Sequence, residues 1–575
     1  MKSASGGLPV IRFGTFELDA SAGELRRRGV RIRLQEQSLR ILEMLLANPG
    51  EIVSREEMRT ALWPGHTLVD FDHGLNRAIS KLREALGDSA ESPRFIETHS
   101  KRGYRFLGDL KSEPNEIRSI LVLPLENLSQ DSEEGYFADG LTEALITTLA
   151  KISALRVLSR TTAVFYKRAQ KRLPDIAREL GVDGVVEGTV VRSGRRVRIS
   201  AQLLHAPTDT HIWADSYDRD VRDILALQAE VASAIAREIQ VKITAHEQIQ
   251  LARTSSVDPS AYDAYLRGRY HWNKRSETGY RKAIPFFENA LAREPQNVAA
   301  CSGLADCLSM MGWFGFAPPE AGCGKAKMLA ASAIRMDPSS APAHTSLGWS
   351  ALHYEYDFQT AEMELRRAIC LDPLYTVAHY WFGLALTYMG RVEESVSELR
   401  CALELEPLSI GANPIMAVVY YCARQFDRGI LQSQRTLELY PDLAHMRWGL
   451  GWGYLEISNF DAAVTEIRTA VELSHGATHY VALLAEAYAL GGRTDEARGL
   501  LDHLQGLPPE RYVSPYMIGR VYAALDRRDL ALRWLETALK ARAALMVFLK
   551  VDTRLDCLRA EPHYQSLVRS MKFPD

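Results

Sequence analysis

Hydrophobic and polar positions change their rhythm twice along the chain. Between Phe16 and Phe106, short apolar runs alternate with helical stripes. The clearest stripe runs from Asp72 to Leu86. Wound at about 100° per residue, it brings Leu75, Ile79, Leu82 and Leu86 within about 40° of one another, flanked by Ala78 and Ala85. His73, Asn76, Arg77, Ser80, Lys81 and Arg83 fall on the opposite arc. An earlier stripe, Leu39, Leu42, Leu45 and Leu46, predicts a first helix ending in the stop and turn Asn48 to Val53. Ser54-Arg55-Glu56-Glu57 has capping-box spacing for a second helix, which Leu62-Trp63-Pro64 ends. Phe16–Asp19 and Gly29–Ile32 read as leading strands. Phe95 to Phe106 reads as a hairpin with a basic tip, Lys101-Arg102, and a turn at Gly103.

From 117 to 246 the pattern is strand, helix, strand, helix, hairpin, helix, which implies a small α/β domain. The strands are expected at Ile117–Leu125, Leu155–Ser159 and the pair Val182–Val191 and Arg195–Leu204, which turns at Ser193-Gly194. The helices are expected at Phe137–Lys151, at Pro174–Leu180 capped by Gly181, and at Ile224–Ile243. Beyond 255 an Ala-x3-large-x2-Ala-x4-Pro pattern recurs. Its closing positions 338, 373, 407, 441, 475 and 509 step by 35 and then repeatedly by 34, and one longer step of 43 precedes them. That period is the tetratricopeptide signature and predicts about eight helix pairs stacked as a superhelix. The long step fits an inserted loop from Gly312 to Gly322. Small residues such as Gly348, Gly383, Gly451 and Gly519 would let paired helices approach closely.

The expected architecture is therefore multidomain and mainly α. It comprises a short start at 1–9, a first domain at 10–110, a linker at 111–116, the α/β domain at 117–246 and the α-solenoid at 255–575. Counting from the packing glycines, Trp349, Tyr380, Trp448, Trp452, Tyr516 and Arg520 are candidates to line the concave face, since aromatic and Arg side chains anchor protein partners; ordinary inter-repeat core is the alternative for each.

Charge sharpens this reading only through its distribution. Residues 1–110 hold 17 Lys/Arg against 15 Asp/Glu. Net charge alone would not call for nucleic acid. The basic residues are clustered, however, on the 72–86 arc, at the hairpin tip and in the run Arg26 to Arg33. The remaining residues carry −5 of the overall −3, so nothing there asks for a polyanion. Seven scattered cysteines with no CxxC pair fit reduced, buried thiols rather than disulfides or metal. No signal peptide and no apolar run long enough for a membrane span is visible, so a cytoplasmic location is expected.

A search for catalytic motifs excludes the usual classes. Gly322-Cys323-Gly324-Lys325 mimics the end of a phosphate loop, but Pro319 stands where glycine is needed and Ala326 follows the lysine. His246-Glu247 lacks a second histidine. No nucleophile elbow or dinucleotide fingerprint occurs. No enzyme activity, metal or cofactor is expected.

The motifs of residues 10 to 108, in order, resemble the winged helix-turn-helix effector domain of OmpR/PhoB-type regulators. The resemblance implies that the 72–86 helix enters the major groove of double-stranded DNA. Asn76, Arg77 and Ser80 would read bases with His73 at the edge, while Lys81, Arg83, Lys101 and Arg102 would hold phosphates. Arg83 could instead pair with Glu84 or another carboxylate. Tyr104 and Phe106 read as hairpin core. The family works in phosphorelay signal transduction, but only about ten residues precede the winged helix here, so input without a receiver aspartate is expected. Ala138–Thr142, Ala177–Asp183, Glu187-Gly188 and Ile212–Asp215 resemble the TolB amino-terminal (FlgO-like) domain, which implies docking or sensing and supplies no catalytic residues. Asp139 and Asp215 read as turn and cap residues.

The combined expectation is a one-component transcriptional regulator whose repeats bind a protein or peptide, with RNA polymerase contact and a homodimer on DNA as further candidate partners. The alternative is a repeat scaffold whose winged helix docks protein.

Overall fold

The computed structural model describes residues 10–13, 16–19, 23–27, 30–62, 71–100, 102–108, 110–111, 117–129, 135–169, 171–239, 244 and 258–574. Gly29, Trp63, Pro64, Lys101 and residues 112–116 lie outside these. The chain divides into two compact units, Met1–Glu116 and Ile117–Asp575.

The first unit opens with β1 (Val10–Phe13), β2 (Phe16–Asp19), β3 (Glu24–Arg27) and β4 (Val30–Ile32). It continues with α1 (Glu36–Ala47), β5 (Ile52–Ser54), α2 (Arg55–Leu62) and α3 (Phe71–Leu86). It ends with β6 (Ile96–His99), β7 (Gly103–Phe106) and β8 (Leu110–Lys111). The first four strands and β8 form an antiparallel sheet ordered β4-β3-β2-β1-β8, and β5, β7 and β6 form a second. Period-2 alternation puts Phe16, Leu18 and Leu25 on the inner face, where they meet the apolar stripes of α1 and α3 in one core.

Three local expectations change. Ile41 rather than Leu39 completes the buried stripe of α1, and Leu39 is only partly buried. Residues 52 and 53, expected as part of a turn, form with Ser54 a strand paired with β7. Gly103 is not the turn residue. It lies inside β7, where a Cβ would sit 2.0 Å from the Val53 carbonyl oxygen, so the residue is glycine because two backbones touch there.

The second unit begins with β9 (Ser119–Val122), β10 (Glu126–Asn127), α4 (Gly135–Leu149), β11 (Arg156–Val157), α5 (Arg160–Ala169) and α6 (Leu173–Leu180). Then come β12 (Gly184–Ser193), β13 (Arg196–His205), β14 (Thr210–Asp220) and α7 (Ile224–Glu238). The sheet order is β11-β9-β12-β13-β14, with β10 beside β12. Gly181 caps α6 at φ +60° as expected. β14 and α5 were not anticipated. The Ile212–Asp215 motif lies on β14, a largely exposed strand whose side chains show no apolar alternation. Asp139 sits within α4 and pairs with Arg160 at 2.9 Å, so it is not a turn residue. Asp215 lies on β14 and accepts the Ser216 amide.

Eight antiparallel helix pairs follow among the described residues, from Pro259–Trp272 with Glu277–Arg293 to Pro515–Ala524 with Arg528–Lys540. The packing glycines act as the spacing predicts. A Cβ on Gly348, Gly383 or Gly451 would lie 2.5–2.9 Å from Leu365, Leu399 or Ile467 of the partner helix. The 312–322 insertion is wound rather than loose. Gly312 and Gly322 press together, and Glu320–Gly324 forms a π-helical turn. The α/β layer shares its core with the first repeat through Tyr262 and Leu266. Arg269 pairs there with Glu143. No helix of the described residues is long and apolar enough to cross a membrane.

Candidate nucleic-acid interface

The buried stripe of α3, Leu75, Ala78, Ile79, Leu82 and Leu86, fixes which arc faces outward. Ser38 Oγ of α1 donates to the Ala78 carbonyl at 3.0 Å in the core and sets the helix rotation. His73, Asn76, Arg77 and Ser80 are then exposed, and Lys81 is half-buried beside them. Arg102 is exposed between β6 and β7.

Arg83, expected to hold a phosphate, has protein partners instead of lying free on this arc. Its Nη2 donates to the Ile96 carbonyl at 2.7 Å and to Thr98 Oγ1 at 2.9 Å. The guanidinium fastens α3 to the wing, and its partners are these two groups rather than Glu84. The Arg26–Arg33 run is also less available than its sequence suggests. Arg26 and Arg31 both pair with Glu24, at 2.9 and 3.0 Å, and Arg27 lies over the Phe16 ring.

A network that the sequence did not reveal organises the exposed arc. Arg55, the first residue of α2, donates to Asp72 Oδ1 at 2.8 Å, to Asn76 Oδ1 at 3.1 Å and to the Tyr104 hydroxyl at 3.0 Å. Tyr104 donates to the same Asn76 oxygen at 3.0 Å. With its oxygen held from two sides, the amide of Asn76 has its NH2 left to donate. Tyr104 is therefore both hairpin core and support for a candidate base reader. Arg55 is positioned by the capping box: Ser54 N donates to Glu57 Oε2 at 2.7 Å, and Glu57 N donates to Ser54 Oγ at 3.1 Å. The Ser54 amide first, and then the Ser54 hydroxyl, hold the Glu57 carboxyl below its usual range.

Asp88 joins helix to wing. Its carboxylate accepts the amides of Ser89, Arg94, Phe95 and Ile96 at 2.7–3.2 Å. Asp88→Ala should lower the stability of the first unit by about 2 kcal/mol or more, since several backbone donors lose a charged acceptor. Urea denaturation followed by circular dichroism checks this, and an unmoved midpoint would refute it.

Comparisons with known proteins fit this geometry. Residues 29–106 match the family described as transcriptional regulatory protein, C terminal. The segment that carries α3 and the wing is thus the part of the chain that is similar to regulatory proteins. The transcriptional regulator HilA of Salmonella typhimurium is 23% identical over 400 residues, 68% of this chain and 69% of HilA. The cholera toxin transcriptional activator of Vibrio cholerae is 35% identical over 15% of this chain and 29% of its own length. A putative adenylate cyclase 3 of Rhizobium meliloti is 35% identical over 48% of this chain. The chain spans only 41% of that cyclase's length. Among solved structures, the response regulator DrrB of Thermotoga maritima aligns at 30% identity over 17% of this chain and 44% of its own, with TM-score 0.16. A tetratricopeptide protein of Thermus thermophilus aligns at 20% identity over 34% of this chain and 99% of its own, with TM-score 0.30.

Of the two readings for the six candidate groove residues, lining or inter-repeat core, the structure has them buried. Trp349, Tyr380, Trp448, Trp452, Tyr516 and Arg520 are all at most 7% exposed. Part of the reason is that the chain returns along the inside of the superhelix. Tyr356 donates to the Ala543 carbonyl, Lys550 to that of Met389, and Phe548 packs edge-on against Tyr388. Segment 544–558, two 3-10 turns, fills space where a partner was expected.

Proposed function

We propose that this chain is a cytoplasmic DNA-binding transcriptional regulator, non-enzymatic, with the winged helix as its reading head. The observation that carries the reading is the Arg55–Asn76–Tyr104 network, which pre-orients an exposed polar helix arc on a segment matching a regulatory-protein family. In this reading Asn76, Arg77 and Ser80 face base edges, with His73 beside them. Lys81, Arg102 and Lys101 contact phosphates. The names of HilA and the cholera toxin activator support the same role. The α/β layer, with its TolB-like motifs, and the repeats form the input side and take a protein or peptide signal. RNA polymerase and a second copy on tandem sites are the further partners.

The test is fragment retention from genomic DNA at two salt concentrations, using the full chain. Selective retention that weakens steeply with salt is expected. Asn76→Ala or Arg77→Ala should relax discrimination at single positions by about 1–3 kcal/mol. Arg102→Ala should weaken all sequences alike and lower the salt slope by about one. Uniform, feeble retention would overturn the reading in favour of a repeat scaffold.

A further inference from the structure

Where the α/β layer meets the first repeat, a groove of about 290 Å³ opens to solvent. That is the lower end of the range for small-molecule sites, roughly 300–1,000 Å³. Three elements line it. Arg192 comes from β12, Asp263 and Arg267 from helix Pro259–Trp272, and Phe286, Asn289 and Arg293 from helix Glu277–Arg293.

The charges of this groove do not cancel. Among the described lining residues Asp263 is the only carboxylate, and it already serves Arg192 at 2.7 Å and Arg267 at 3.0 Å. It also accepts the Tyr136 hydroxyl at 2.5 Å. Arg293 makes no ion pair among the described residues; its Nε donates to the neutral Asn289 Oδ1 at 3.0 Å. Asp258 and Glu294, beside the lining in sequence, are engaged elsewhere: Asp258 accepts the amides of Ser260 and Ala261, and Glu294 accepts the Asp258 amide and the Asn297 side chain. Three guanidiniums against one carboxylate leave an excess of two positive charges. An arginine cannot shed its proton, so an anion is what offsets them. Two of the guanidiniums are also held in advance, Arg192 over the Phe137 ring at 4.8 Å and Arg267 over the Tyr136 ring at 4.4 Å. Arg267 uses Nε on Asp263 and Nη2 on Tyr136, which leaves Nη1 to donate, while Arg293 keeps both terminal nitrogens.

We propose that this groove binds a small organic phosphate monoester. Such a group carries about −1.5 to −2 near neutral pH, which matches the excess; a single carboxylate would offset only half of it. Its oxygens accept from Arg267 and Arg293, whose planar forks suit phosphate, and from the Asn289 amide. Its organic part lies along Phe286. Because Arg192 belongs to the α/β layer and the other lining residues to the first repeat, the bound molecule bridges the two and acts as an input to the second unit. The site stands whether or not the winged helix reads DNA.

The experiment is a phosphorus-NMR titration of the full chain with glycerol 3-phosphate. Inorganic phosphate, lactate and a tetraglutamate peptide are then tested as competitors. Saturable binding of the ester tighter than about 1 mM is expected. Inorganic phosphate should be weaker than the ester, and lactate and the peptide at least about tenfold weaker. Arg293→Gln and Arg267→Gln should each weaken the ester about tenfold or more, since each removes a charged donor to phosphate. Arg293 makes a single side-chain hydrogen bond to an exposed neighbour, so circular dichroism of that variant should stay unchanged. Arg102→Gln, on the winged helix, should leave ester binding as it is. No saturable binding, lactate equal to the ester, or groove variants that bind as well as the original chain would each overturn the proposal. Inorganic phosphate binding as tightly as the ester would replace it with a free-anion site, and a tighter peptide would replace it with a protein segment. Equal losses in Arg102→Gln and Arg293→Gln would place the binding outside this groove.

Discussion

Arg520→Leu should destabilise the repeat array by about 3–5 kcal/mol, the range seen when one partner of a buried ion pair is removed. Arg520 is 4% exposed and Glu486 1%. Two guanidiniums and two carboxylates balance in this cluster, and Tyr516 donates to Asp552 at 2.8 Å. Removing one cation strands the Glu486 charge away from water. Burial alone would push the Asp552 carboxyl up, but Arg554 and Arg520 outweigh it and pull it down to about 2. The Asp552 contribution is thus present above its ordinary value of 3.8 and is lost as pH falls through about 2. The Arg520→Leu, Glu486→Leu double variant should recover much of the loss, because two apolar groups replace the pair. Urea midpoints of both variants decide the matter. Had Arg520 served mainly as a groove contact for a partner, the single variant would keep its midpoint within about 0.5 kcal/mol.

What could be read from sequence, and what could not, follows from the range of each interaction. The stripe of α3 was legible because its burial repeats every three to four residues. Arg83 lies on the polar arc by the same count, yet its partner is the Ile96 carbonyl, reached only after the chain turns at Asp88. Periodicity says where a side chain points, not what arrives opposite it. Arg55 escaped notice for the same reason: its three partners lie 17, 21 and 49 residues away. The repeats were legible as a 34-residue spacing because each glycine faces a large residue of its own repeat. The filling of the groove was not, because the turns at 544–558 carry no helical period of their own. Counting from Gly451 makes Trp448 and Trp452 candidates for the concave face, and both are buried. It cannot show that Phe548 and Arg554 meet them there.

Acid should loosen the second unit well above the range where carboxylates ordinarily titrate. His353 is fully buried, and burial holds its imidazole down at about 3 against the opposing pull of the Trp349 carbonyl. His479 is held at about 3 by burial and by Arg520 and Arg554. Each titrates near 6.5 when unfolded. His445 is likewise held down at about 4, by burial and by Arg275 against the Ile410 carbonyl. Below 6.5 the unfolded chain therefore binds three protons that the folded chain refuses, and stability falls with pH. Asp306 works in the opposite direction. Burial raises it to about 6, outweighing the Ser346 hydroxyl, Arg269 and Arg275, so between 6 and 4 the folded chain keeps one proton that the unfolded chain has released. His379, raised by Glu398 despite burial, is protonated in both states across that window and leaves the slope alone. The net is about two protons, or about 2.7 kcal/mol lost per pH unit. Asp306→Asn should steepen the slope by about half by removing the opposing group, and His479→Phe should about halve it. Urea titrations at pH 6, 5 and 4 on the three chains measure it. Equal slopes in all three would show that the buried histidines and Asp306 do not govern the acid response.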